Sequence, residues 1–235
     1  YALMLSVALL TGAASFIYEI GWIRMLSMVL GSSSHAFELM LSAFILGLAF
    51  GGLWIKRRID GIAAPERYLG VVQVAMGLFA LLTLVVYGHT FEIMQWLLGT
   101  LARTDSGYVA FNIGSHLIAL LVTFPAAFCA GMTLPLITHV LLRRGTGERA
   151  IGAVYAANTI GAITGVFAAV HVGLPVLGLK GLISAGAAVD IGLGLLLLWW
   201  TAKGSRLLAY ATAAGVAGIA ATLVFVQLDP YTLAS

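Results

Sequence analysis

Seven apolar stretches, each long enough to cross the hydrocarbon layer of a membrane, fill most of this sequence. A spanning helix needs about 20 mostly apolar residues. Stretches at residues 2–30, 36–55, 68–87, 113–142, 151–172, 182–202 and 207–228 meet that requirement. Only 9% of the residues are charged, against about 25% in an ordinary soluble domain. So few charges cannot cover a water-facing surface, so the solvent of this chain is largely lipid. The expected fold class is all-α, a polytopic transmembrane helix bundle of about seven spans over residues 1–228, with a tail at 229–235. Tyr1 stands where a native chain would begin with Met, so a native start is expected to be missing or processed. The first stretch is too long for a signal peptide and reads as a retained helix.

The charges between the stretches set an orientation. Lys56, Arg57, Arg58 and Arg67 fall between spans two and three, Arg143, Arg144 and Arg149 between four and five, and Lys203 and Arg206 between six and seven. These nine of the twelve basic residues share one face. The opposite connections hold Arg103 and Lys180, and Arg24 lies late in the first stretch. The positive-inside rule puts the arginine-rich face in the cytoplasm. The N-terminus is then expected to be cytoplasmic and the C-terminus periplasmic, in a bacterial inner membrane. A net charge of +3, dispersed over loops, does not suggest a nucleic-acid partner. The expected partner is the bilayer. The longest connection, 89–112, carries Phe91, Met94, Leu98 and Leu101 at helical spacing, a segment suited to lying flat at the interface. Trp54, Trp199 and Trp200 fit an aromatic belt.

Small residues mark where helices meet, because close backbone approach, rather than apolar burial, drives packing in lipid. The fifth span carries Ala153, Ala157, Gly161, Gly165 and Ala169, each four apart and so on one face. Gly47 and Gly51 form a shorter ridge in span two, and Ala211, Gly215 and Ile219 a weak one in span seven. Gly131 and Pro135 predict a kink in span four.

Ionisable groups at membrane depth are costly and therefore candidate sites. Glu19 is one, with Arg24 as its candidate ion-pair partner, although five residues is a poor helical pairing distance. A structural ion pair and a functional acid both stay open for it. Asp190, near the middle of span six with Ser184 upstream, is the most isolated acid. It reads either as a protonated side chain bonded to a neighbouring helix or as a cation or proton site. Glu38, beside His35 at the end of span two, and Asn158 in span five complete the candidate polar set. Ser34 is placed to cap span two, and Gln73 to hydrogen-bond across helices. Cys129, the only cysteine, sits among apolar neighbours and reads as a packing residue. No His-x-x-His or carboxylate–His pair has metal-ligand spacing, so no metal is expected. No nucleophile elbow, phosphate-binding loop or dinucleotide glycine pattern occurs, so the chain presents no catalytic motif and no cofactor is expected.

Several stretches, in order, resemble one family. Thr11-Gly12-Ala13-Ala14-Ser15-Phe16-Ile17-Tyr18-Glu19-Ile20-Gly21-Trp22-Ile23-Arg24 is similar to the opening segment of bacterial fused major-facilitator/spermidine synthase membrane proteins. Gly31-Ser32-Ser33, Ala36-Phe37 and Phe44-Ile45-Leu46-Gly47-Leu48-Ala49-Phe50-Gly51-Gly52 continue the likeness. So do Gly131-Met132-Thr133-Leu134-Pro135-Leu136, Tyr155-Ala156-Ala157-Asn158-Thr159-Ile160-Gly161 and Leu174-Pro175-Val176-Leu177-Gly178-Leu179. Gln73 stands where many relatives carry an acid in span three. The tail Leu228-Asp229-Pro230-Tyr231 looks like the lead into that family's soluble synthase-like domain. The resemblance implies a membrane module of a spermidine synthase-like protein that binds or moves a polyamine or similar small cation. It also implies an aminopropyltransferase-like domain in the full-length protein. The alternative from another class is a non-transporting anchor or an accessory subunit of a larger membrane complex.

Overall fold

The computed structural model describes residues 1–31, 33–100, 104–201 and 205–225. Seven α-helices account for nearly all of them: α1 (Ala2–Leu30), α2 (Ser33–Lys56), α3 (Pro65–Thr100), α4 (Asp105–Arg143), α5 (Arg149–Ala168), α6 (Leu174–Thr201) and α7 (Arg206–Phe225). A one-turn helix, Ile59–Gly61, joins α2 to α3, and a π-turn, Ala169–Gly173, lies between α5 and α6. No strand occurs among the described residues. Helix is what lipid demands, since a spanning segment must satisfy its backbone N–H and C=O groups internally.

Six helical segments are long and apolar enough to cross a membrane, one of them the unbroken 53-residue run Arg149–Thr201. Drawn out straight at ~1.5 Å per residue, that run would measure about 80 Å, far more than the ~30 Å hydrocarbon core. It doubles back instead. Gly178 adopts φ 66 and ψ −177, a conformation open in practice only to glycine. On the two sides of this reversal the legs run in opposite directions. Gly161 and Gly165 of α5 lie against Leu9 and Ala13, so α5 runs parallel to α1. Ile183 lies at Gly21 and Gly186 at Tyr18, so α6 runs antiparallel to α1. The run is therefore two legs, and the described residues form seven.

The other contacts agree with alternating directions. Gly47 packs on Ala127 and Gly51 on Phe128 and Gly131, making α2 and α4 parallel. Gly70 meets Gly194 and Gly77 meets Ala187 and Ile191, making α3 and α6 antiparallel. The basic connections gather at one end. Arg67 Nη2 donates to Thr201 O at 3.2 Å, Arg143 Nη1 to Ile62 O at 3.2 Å, and Arg144 Nη2 pairs with Glu66 Oε1 at 2.9 Å. Lys180 Nζ donates to Leu223 O at 2.9 Å, at the other end of the bundle. Lys203 and Arg103 lie outside the described residues.

Several element ends differ from the sequence reading. Helices α3 and α4 extend past hydropathic spans 68–87 and 113–142, so Phe91 and Met94 continue α3 and do not form a separate interfacial helix. Met94 is buried, and Phe91 packs edge-on against Tyr87 with centroids 5.2 Å apart. Polar residues such as His89 lower hydropathy without breaking a helix whose apolar face still has a neighbour. Leu101 and the side chain of Leu98 lie outside the described residues, as do 226–235 and hence the tail. Helix α4 passes through Pro125 and Pro135 without a break. Helix α2 starts at Ser33, one residue before the expected cap Ser34.

Candidate functional site

The polar chemistry of the interior starts from one stripe of α1. Met4, Thr11, Tyr18 and Met25 recur at heptad spacing with Ala14 and Trp22 between them, and all are buried. Each polar group on that stripe finds a partner on another helix. The Tyr18 hydroxyl donates to Asp190 Oδ2 of α6 at 2.6 Å. Trp22 Nε1 donates to Thr83 Oγ1 of α3 at 3.4 Å, a long bond, while Thr83 donates to Ala80 O at 2.6 Å. Gln73 Nε2 of α3 donates to Thr11 Oγ1. Gly186 makes room for the tyrosine, because a Cβ there would lie 2.7 Å from Tyr18 Cε1. Trp22 lies between Tyr18 and Phe44 in tilted ring contacts, with centroids 5.6 and 6.2 Å away.

Asp190 and Tyr18 are both 0% exposed. A carboxylate at membrane depth costs several kcal/mol unless paired, and it offers about four lone-pair sites. One tyrosine donor covers one of them. Among the described residues Asp190 Oδ1 has no hydrogen-bond partner, and neither do Gln73 Oε1 or Ser184 Oγ, all of them buried. Cys129 of α4 is buried within electrostatic reach of Asp190. The carboxyl thus has an acceptor position left over at Oδ1. The arrangement offers no activated nucleophile, and no group of three His, Cys, Asp or Glu able to hold a metal occurs among the described residues.

The other sequence candidates do not join this cluster. Glu19 is half-buried on α1 and makes no hydrogen bond or ion pair among the described residues, and Arg24 is exposed and not paired with it. The one-residue step from Tyr18 to Glu19 turns the side chain about 100° around the helix, away from the stripe that meets Asp190. Glu38 is exposed at the start of α2, 4.0 Å from His35 Nδ1. Asn158 is half-buried, with its carbonyl and Oδ1 packed against Gly12. Thr159 bonds within its own helix, to Tyr155 O. Gln73 does bond across helices. On the small-residue ridge, Gly161, Gly165 and Ala169 are buried, and Ala153 and Ala157 half-buried. Tyr18, which holds Asp190, was not singled out from the sequence as a site residue. Its signal was a polar-tipped ring seven residues after Thr11, on the same stripe.

No family model, curated protein or solved structure matches the chain.

Proposed function

We propose that this chain is the membrane-embedded packing module of a spermidine synthase-like protein, serving as a non-transporting anchor or an accessory subunit of a larger membrane assembly. The observation that carries this reading is the surface of α7. Only 11% of its spanning window is buried inside the bundle, against 61% for α3. It docks through Gly215 against Ile191 and Gly218 against Leu78. Away from that contact Ala213 and Ala217, four apart, are exposed, and the row runs on to Ala221 at the edge of the α3–α7 crevice. Small residues let helix backbones approach closely in lipid, so this uncovered row suits a further membrane helix. In this reading the arginine-rich end faces the cytoplasm of a bacterial inner membrane, with the N-terminus on that side and the C-terminus periplasmic.

The experiment places isoleucine on the ridge. Ala217→Ile is expected to release the chain from its higher-mass assembly on native gels of mildly solubilised membranes. Ile163→Leu, on the exposed face of α5, is expected to leave that assembly intact. A wild-type chain that runs as a stable monomer would remove the reading.

A second reading rests on the unpartnered Oδ1 of Asp190, which supports binding of a small cation, a polyamine amine group being the one the family resemblance suggests. Glu19 and Asp190 occupy separate positions on the helices, and Asp190 is fully enclosed, so this reading ranks below the first. It is tested by polyamine uptake into vesicles carrying the wild type or the Glu19→Gln, Asp190→Asn double variant. Equal uptake by both, or none by either, ends it.

A further inference from the structure

The crevice between α2 and α4 carries two recesses that bundle packing leaves open. One is an apolar groove of about 530 Å³ lined by Leu46, Phe50, Leu121 and Phe124 among others. The other, of about 250 Å³, is lined by Phe50, Leu53, Trp54, Arg57, Arg58 and Phe128. Phe50 borders both. The ring contacts Phe50–Phe124, Phe124–Phe128 and Trp54–Phe128, with centroids 6.2, 6.0 and 6.0 Å apart, make one aromatic wall between them. Since α2 and α4 run parallel, the recesses follow one another along the crevice, apolar at depth and cationic at the arginine-rich end.

The cations at that mouth are uncommitted. Arg57 and Arg58 are exposed, and neither pairs with a carboxylate among the described residues. Arg58 lies over the Trp54 ring, its Cζ 3.6 Å from the centroid, which fixes the guanidinium without using up its N–H donors. Of the nearby acids, Glu66 is held by Arg144 at 2.9 Å, and Asp60 is exposed with no ion pair among the described residues.

We propose that this crevice binds an anionic phospholipid, its phosphate on Arg57 and Arg58 and one acyl chain along Trp54, Phe50 and Leu46. Three features fit that ligand together. Guanidinium forks match phosphate oxygens in pairs, and basic recesses between spanning helices suit anionic headgroups. The rise from Leu46 to Lys56, where α2 ends just before the two arginines, is about 15 Å at ~1.5 Å per residue, matching the ~15 Å of hydrocarbon in one leaflet. A zwitterionic lipid would fill the same groove but bring its own cation to the arginines.

The test titrates the purified full chain with phosphatidylglycerol or phosphatidylcholine and counts bound lipid by native mass spectrometry. Phosphatidylglycerol is expected to bind about 25-fold more tightly, since each basic side chain near an anionic surface contributes about fivefold. The Arg57→Gln, Arg58→Gln variant is expected to lose that preference, while Arg206→Gln, exposed on another helix at the same end, keeps it. Leu121→Trp, which fills the groove from the lipid side, is expected to weaken both lipids. Soluble glycerol phosphate is expected not to compete. Equal binding of the two lipids, an unchanged double variant, or competition by glycerol phosphate equal to that of the intact lipid would each overturn the proposal.

Discussion

Adding one methyl group at residue 161 should separate α1 from α5. A Cβ there would stand 2.7 Å from the carbonyl carbon of Leu9, 3.0 Å from its Cα, and closer still to its carbonyl oxygen. All three are backbone atoms, so no rotamer change relieves them. Carbon pairs settle at about 3.5–4.0 Å, so the carbon contact alone parts the helices by at least about 0.8 Å and the oxygen contact by more, and a gap of that size forfeits a quarter to a half of each van der Waals well it opens. Overpacking of this kind costs about 1–3 kcal/mol. For a chain of this size that corresponds to a fall in melting temperature of about 2–12 °C. Gly152→Ala is the matched control. It adds the same methyl to the same helix, with nothing within 4 Å of the new atom, and it removes a helix-interior glycine worth about 0.5–1 kcal/mol. Its melting temperature should hold or rise. Cys129, the only cysteine and 4% exposed, is a built-in reporter, because a thiol-reactive fluorogenic dye labels it only when the bundle opens. If both alanines moved the transition alike, the backbone contact between α1 and α5 would not be a determinant of stability.

Removing the donor to Asp190 should also be visible in that assay. Tyr18→Phe strips Oδ2 of its partner and is expected to destabilise by about 1–3 kcal/mol, whereas in an Asp190→Asn background the same change should cost less. Additive effects would mean that the two side chains do not act as a pair. Arg144→Gln breaks an ion pair whose side chains are 38% and 23% exposed, so it should shift stability by less than about 1 kcal/mol; a larger loss would assign the pair a structural role. For orientation, cysteines introduced at Arg57 and Arg143 in a Cys129→Ala background should resist an impermeant thiol reagent added outside spheroplasts and react once the membrane is opened. Labelling from outside would invert the topology.

Legibility followed what each residue reports locally. Gly161 and Gly165 were legible as a packing ridge because small residues four apart need only the pitch of a helix to share a face. Gln73 was legible as a cross-helix donor because a buried amide must find a partner. Tyr18 was not legible as a site residue, since its role depends on Asp190, 172 positions away in sequence. The pairing of Glu19 with Arg24 did not occur because the two side chains diverge around α1.

Hydropathy along the chain, by itself, determined the membrane environment, the helical class, the number of legs and the collection of basic connections at one end. Each of these reflects the solvent of a residue and the need of every backbone group in lipid for an internal bond. Only the tertiary structure decided which helices pair, that the chain reverses at Gly178, that Tyr18 holds Asp190, and that one ridge of α7 stays uncovered. In a bilayer, the face a helix turns to lipid is as apolar as the face it turns to its neighbours. Partner choice therefore leaves almost no trace in the order of residues and is settled by shape, by the fit of a glycine against a particular carbonyl.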